Sequence, residues 1–269
     1  MLEALKLSEL REELHVSYSQ IRTYLMCPMK YYHQYVAGTE ASHRPTALVF
    51  GSAIHHALAH YYRNLQVAGE KIQEGDLLGT YVDYLDEELD RPIPLLFDDP
   101  DDEGRLKDKG VALLQMFHEK ADCPNVLAVE QPFAIELIDS TTGEVMEPKL
   151  VGAIDLIIEG SKRPEIVEHK TTSKRYSKWQ LDLEMQPSVY KLAAEELGLG
   201  ETDVRYQLLV KTKTPSLQQC SVKRSDSQIQ EMAETFCAVL QAIESGHFYR
   251  NRSWACQDCP FRHACDGCS

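Results

Sequence analysis

The segment EIVEHKTTSK, from Glu165 to Lys174, sets an acid and an amine two residues apart inside what otherwise reads as a buried strand. Side chains alternate between the faces of a strand, so Glu168 and Lys170 share one face while His169 looks the other way. A solvated ion pair at a strand end is the plain alternative, and such a pair is worth little by itself. A second carboxylate, Asp155, is expected at the end of the preceding strand, VMEPKLVGAIDLIIEG, and in a meander the two strand ends lie side by side. Converging carboxylates repel, and a hard divalent cation such as Mg2+ or Mn2+ relieves the repulsion through oxygen ligands. Lys170 would stand beside that cation, placed to position a nucleophile or to offset charge developing on a phosphate.

Cysteine is the other chemistry-bearing residue. The chain has eight, and four of them (Cys256, Cys259, Cys265 and Cys268) fall in the last fourteen residues, in CQDCPFRHACDGC. In a reducing compartment this crowding points to metal ligands rather than disulfides. Read locally, the four could close a tetrahedral zinc site, although five residues between the pairs is shorter than the usual zinc-ribbon spacing. Cys123, Cys220 and Cys237 are scattered and read as ordinary thiols.

These groups need elements to hold them. Ser17 followed by Gln20 forms a capping box at the start of VSYSQIRTYLMCPMKYYHQYV, with Pro28 set to kink or end that helix. Its tyrosines, Tyr24 to Tyr35, could stack unpaired bases but at this spacing belong rather to a helix core. Further helices are expected over 46–66, 76–89 and 104–120, with the acidic, proline-bearing RPIPLLFDDPDDEG as a loop. From Asn125 the pattern turns to period two: a hairpin through STTGE, then a third strand PEIVEHKTT. A helix over 178–197, two strands (VRYQLLVKTKT and LQQCSVKR) and a helix over 227–245 complete the order. The expected fold is α/β, a mixed central sheet flanked by helices. One domain spans 1–269: a mainly helical part (1–120), a sheet core (121–225) and a C-terminal helix with the cysteine cluster (226–269).

The net charge of −14 argues at first against a polyanionic partner. Its location weakens the argument: ten acids and one arginine between Asp83 and Glu103 account for −9, leaving −5 elsewhere. His169–Lys178 carries four Lys or Arg and no acid, and Val204–Ser225 carries five and no acid. No apolar run is long enough to span a bilayer and the N-terminus lacks a signal-peptide core, so a soluble, cytoplasmic protein is expected. There is no GxxxxGK phosphate loop, hence no nucleotide-driven motor.

Taken in order, the motifs resemble the PD-(D/E)XK nuclease superfamily, and specifically its RecB-like branch of repair and CRISPR-associated exonucleases. FGSAIHHAL is similar to that branch's G-(T/S)-x-x-H-x-x-L helix, with GAID, EHK and QPSVY following as the aspartate motif, the (D/E)-x-K triplet and the Q-x-x-x-Y signature. The resemblance implies a restriction-endonuclease-like core and a metal held by His55, Asp155, Glu168 and the main-chain carbonyl of His169. His56 points about 100° away around the helix and ranks below His55. Catalytic roles fall on Asp155, Glu168, Lys170, Gln186 and Tyr190, the last two four residues apart on one helix face and so able to reach a bound strand. Some members carry one cysteine near the N-terminus in a CPxxY-like context and three as C-x2-C-x5-C. That pattern matches Cys27, Cys256, Cys259 and Cys265 as ligands of a [4Fe-4S] cluster, a structural staple between the chain ends, with Cys268 left over.

The implied function is a Mg2+- or Mn2+-dependent deoxyribonuclease acting on ends or single strands, in repair, recombination or CRISPR prespacer processing, with a helicase or integrase as a possible partner. Lys174, Arg175, Lys178, Lys211 and Lys213 are the expected backbone contacts to DNA, joined by Gln186 and Tyr190. The rival reading is a non-catalytic DNA-binding or helicase-associated subunit that keeps the fold. A third is a zinc-stapled interaction protein docking through its acidic loop.

Overall fold

The computed structural model describes residues 6–97, 101–140 and 142–266. Cys268 lies outside the described residues. A short helix α1 (Leu7–Leu10) and a two-residue strand β1 (His15–Val16) lead into α2 (Tyr18–Met26). The expected capping box is formed: the Ser17 hydroxyl accepts the Gln20 N–H and the Gln20 side chain accepts the Ser17 N–H. Pro28 ends the helix rather than bending it. Cys27 leaves helical geometry (φ −160°, ψ 106°), and Pro28 opens α3 (Pro28–Tyr31) at a position where its missing N–H costs nothing.

A helical layer follows: β2 (Arg44–Pro45), α4 (Thr46–Ala68), α5 (Glu74–Leu89), β3 (Leu95–Leu96) and α6 (Glu103–Lys120). β2 pairs in parallel with β3, which ties Leu95 and Leu96 of the acidic stretch to the start of α4. Buried Glu88 accepts from Arg44 and pairs with Arg91 at 2.7 Å, which neutralises part of the acidic stretch internally.

The sheet comprises β1, β4 (Val126–Ile138), β5 (Val145–Ile158), β6 (Glu165–Thr172), β7 (Asp203–Val210) and β8 (Ser216–Val222). Between β6 and β7 the structure departs from the expected single helix. There are two: α7 (Lys178–Leu183) and α8 (Gln186–Glu196). Pro187 is the cause, because it has no N–H for the Leu183 carbonyl and its ring would strike it, so one helix stops and another starts afresh. After α9 (Asp226–Glu244) the chain runs through a 3-10 turn at Trp254–Cys256 to α10 (Arg262–Asp266).

β5 organises the sheet. One of its edges pairs with β4 along its whole length; the other is shared between β1, at Lys149 and Leu150, and β6, at Leu156 to Ile158. The stretch between, Val151 to Asp155, has no strand partner on that edge. β6 then pairs in parallel with β7, giving a mixed sheet. Apolar side chains cover both faces. Leu156, Ile158, Val167 and Leu209 pack under α4, α5 and α6, and Ile157, Ile166 and Val204 pack under α2, α8 and α9.

The C-terminal tail returns to the N-terminal helices. The Tyr24 hydroxyl donates to the His247 carbonyl at 2.6 Å, Met29 N–H to Tyr249 O at 3.1 Å, and Asn251 Nδ2 to Met26 O at 2.9 Å. The Tyr31 and Phe248 rings stack 6.3 Å apart. Tyr24 and Tyr31 are therefore core residues, as their helical spacing predicts.

One close approach fixes the helical layer. A Cβ on Gly110 of α6 would meet the Tyr81 ring of α5 at 2.0 Å, and Tyr81 is fully buried with its hydroxyl on Leu106 O. Gly110→Ala is expected to destabilise the protein by about 1–3 kcal/mol despite alanine's better helix propensity, read as a lowered urea midpoint.

Candidate active site

The pairing of β5 with β6 sets the geometry. Leu156 lies opposite Val167, so Asp155 comes opposite Glu168 on the rung where that pairing stops. Asp155 is thus inside β5 rather than at its end, as had been expected; what matters is the end of the ladder, not of the strand. The His169 N–H, freed from the ladder at this rung, is taken by Asp155 Oδ2 at 2.8 Å.

Glu168 and Lys170 share one face, as alternation requires, and α8 closes over them. Lys170 Nζ donates to Glu168 Oε1 and to Gln186 Oε1, both at 2.7 Å. Gln186 Nε2 donates to the Tyr190 hydroxyl at 2.8 Å, and that hydroxyl donates to Glu168 Oε2. The four side chains close a ring of hydrogen bonds. Tyr190 is only 2% exposed and its hydroxyl is engaged by Glu168 and Gln186, so what it presents is a small part of the wall of a neighbouring hollow. Gln186 retains an edge on the groove.

His55 reaches the site from α4, with Nδ1 3.5 Å from Asp155 Oδ2. His56 turns away to stack on Tyr84 at 4.7 Å. The His169 ring is buried on the opposite face, stacked on Tyr62 at 5.4 Å, with no hydrogen-bond partner for either nitrogen. Any part it plays is through its main chain.

One residue escaped the sequence reading. His55, Glu130 and Asp155 each offer a ligand atom, all within 4.8 Å of one another, and among the described residues no other such group of His, Cys, Asp or Glu occurs. Glu130 gets there by register: the pairs Val129 with Leu156 and Gln131 with Ile154 put it opposite Asp155. Glu130, Asp155 and Glu168 thus form a row across three neighbouring strands. Glu130 also has a left-handed backbone (φ 51°), strained for a residue with a side chain and the only such non-glycine among the described residues. Counting outward from the hairpin turn would have set it opposite Ala153, because an irregularity between Ile135 and Leu137 shifts the register by two.

Charge balance follows from burial. Burial disfavours the Asp155 anion, but the charge and hydrogen bond of His55 and the His169 N–H outweigh it and hold the carboxyl well below its usual range. His55 loses by burial and gains more from Asp155, rising to about 9. Burial and the neighbouring Asp155 push Glu130 up to about 7. Burial and Asp155 also raise Glu168, while Glu168 overcomes burial at Lys170 and keeps the amine charged. Three acids sharing two cations, with one acid holding a proton, is the composition of a site that suits an added divalent ion.

The groove above these groups has a volume of about 1240 Å³ and is lined by His55, Glu130, Asp155, Glu168, Lys170 and Gln186. A second hollow of about 540 Å³ continues it along the unpaired edge of β5, past Val151, Gly152 and Ala153. Arg11, Arg22 and Arg63 line the larger groove and were not anticipated. Lys174, Arg175, Lys178 and Lys213 instead stand exposed beyond the C-terminal ends of β6 and β7, outside the lining of either hollow. Lys211 is partly buried with Nζ 4.8 Å from the Phe50 ring.

Of the cysteines, Cys27 sits at the α2–α3 junction, against which the tail bearing Cys256 and Cys259 is bonded. No three of these sulfurs, nor Cys265, lie within 4.8 Å of one another, whereas a tetrahedral zinc site needs them closer than that.

A mixed sheet between two helical layers, with an aspartate, an E-x-K strand and a histidine converging on a groove, defines a fold and a site together. The sequence model of the PD-(D/E)XK nuclease superfamily matches residues 15–266, and the chain belongs to that superfamily. A solved structure described as a "putative exonuclease" from Eubacterium rectale is 15% identical, covers 98% of this chain and 93% of its own, and superposes with a TM-score of 0.59. That likeness shows the shared fold, consistent with a restriction-endonuclease-like core. A second, described as SSO0001, is 13% identical over 93% of this chain and 95% of its own, with a TM-score of 0.35, too low to bear on the fold. No curated protein matches the chain. No helix among the described residues is long and apolar enough to cross a membrane.

In the ion-free site Glu130 keeps its proton up to about pH 7 and His55 up to about pH 9, and each must lose it to become a ligand. Mn2+ affinity is therefore expected to rise with pH across this window. Titration calorimetry in buffers of different ionisation heat should register proton release, and Glu130→Gln should remove the component near neutrality.

Proposed function

We propose that this chain is a Mg2+- or Mn2+-dependent deoxyribonuclease of the RecB-like branch, hydrolysing phosphodiester bonds from ends or in single strands, in repair, recombination or CRISPR prespacer processing. The observation that carries this reading is the closed ring of Glu168, Lys170, Gln186 and Tyr190 set beside the cluster of His55, Glu130 and Asp155. A helicase-associated subunit that had ceased to cut would have no need for a lysine buried against a carboxylate at the end of an open groove.

The residues present fit a divalent ion: His55, Glu130, Asp155 and Glu168 would hold it, with the His169 carbonyl as a main-chain ligand. When bound, the ion would supply Lewis-acid activation of the attacking water and neutralise phosphate charge. The rest falls to the chain. Glu168 and Gln186 take two of the three ammonium protons of Lys170, and the third is left for a phosphate oxygen in the groove. Charged as it is, Lys170 acts as a fixed cation facing the charge that develops in the transition state, not as a base. Tyr190 holds Glu168 in one rotamer, and Arg11, Arg22 and Arg63 draw the polyanion in.

We assign Cys27, Cys256, Cys259 and Cys265 to a [4Fe-4S] cluster that staples the chain ends; the contacts of the tail with the α2–α3 junction support it. Protein purified without oxygen should then be brown, absorbing near about 400 nm, and Cys27→Ser should bleach it.

The test of activity is end-labelled single- and double-stranded DNA incubated with and without Mn2+. Lys170→Ala should lower the cleavage rate by about 10²–10³-fold with the fold intact by circular dichroism, and Tyr190→Phe by a smaller factor. Normal cleavage by the lysine variant would falsify its assigned role.

A further inference from the structure

The groove has a wall that neither the acidic cluster nor the arginines account for. Trp254, on the 3-10 turn of the tail, is 86% exposed, yet it lines the same groove as Asp155, Glu168 and Lys170. Beside it along that rim are Leu25, 42% exposed, and Leu48, 67% exposed. Three largely apolar side chains held in water on the lining of one charged groove suit an occupant with an apolar face.

We propose that Trp254 is a stacking platform for an unpaired nucleobase of the strand entering the groove, and so selects single-stranded nucleic acid over duplex. The inference rests on the nuclease reading for its substrate and adds to it the residue that discriminates. The occupant is argued from the two walls taken together. Arg11, Arg22 and Arg63 line the groove with charge for a phosphate backbone, and an aromatic face beside them suits the bases that the backbone carries. Stacking needs an open base face, which a paired base inside a helix does not offer; a strand must be single to use both walls. Every base has such a face, so the capture is indifferent to sequence.

The turn that carries Trp254 is held in place. The Ser253 hydroxyl accepts the Ala255 N–H at 3.3 Å, and Asn251 anchors the approach to the end of α2. The indole is thereby presented on fixed backbone while its ring stays free.

The chain has two tryptophans, so Trp179→Phe leaves Trp254 as the sole indole reporter. In that background a short thymidine oligonucleotide with phosphorothioate linkages, which resist cleavage, should quench the fluorescence saturably, while the matching duplex should not. Trp254→Ala should weaken binding of the single strand by about ten- to hundredfold and leave duplex binding unchanged, with Trp254→Phe restoring most of the loss. In steady-state cleavage of single strands the alanine variant should raise KM and leave kcat within about twofold, since the indole is not among the groups that would hold the ion or face the transition state. Single-strand affinity unchanged in Trp254→Ala, or an equal loss for both substrates, overturns the proposal. The binding arm reads the indole whether or not the protein cuts, so absence of cleavage by the wild type would refute the nuclease reading alone.

Discussion

Glu168 is a carboxylate with 3% of its surface in contact with water, and the structure around the groove is arranged to make that tolerable. An unpaired charge so placed would cost several kcal/mol, and the usual escape is to take up a proton. Here one oxygen receives an ammonium and the other a phenolic hydroxyl, and Gln186 ties those two donors to each other. The consequence is geometric. Lys170 and Tyr190 cannot move independently, and because Gln186 and Tyr190 lie on α8, the helix is locked in rotation over the sheet. Asp155 solves the same problem differently, with the His55 ring and a backbone N–H.

A continuous ladder between β5 and β6 would leave no room for any of this. It stops after Leu156, and the edge of β5 from Val151 to Asp155 is open where a strand would otherwise pair. β1, only two residues long, fills the far end of that edge and goes no further. The groove is thus a missing stretch of strand, and its walls are the helices on either side. It explains how a histidine on α4 meets acids from β4 and β5.

Much of this was legible in the sequence because its signals are local. Alternation put Glu168 with Lys170, spacing on one helix put Gln186 with Tyr190, and the Ser17–Gln20 pair marked the start of α2. The misreadings came from longer range. Glu130 is ordinary within its own strand and acquires meaning only through a partner 25 positions away in register, Asp155. The lysine-rich strips stand out by composition, whereas the arginines lining the groove, Arg11, Arg22 and Arg63, are single residues on separate elements that only the fold gathers. Composition does not show that part of the charge of the acidic stretch is consumed by Arg44, Arg91, Lys107 and Lys109. The break between α7 and α8 is marked in the sequence by Pro187 alone, within an apolar periodicity that otherwise runs unbroken over 178–197.

The contacts that bind His247, Tyr249 and Asn251 to Tyr24, Met29 and Met26 have a temporal meaning. A ribosome delivers the helices of the first half and the acid-bearing strands well before the tail that braces α2 and brings up the indole. Until that last portion emerges, the first helices lack their brace and one rim of the groove does not exist.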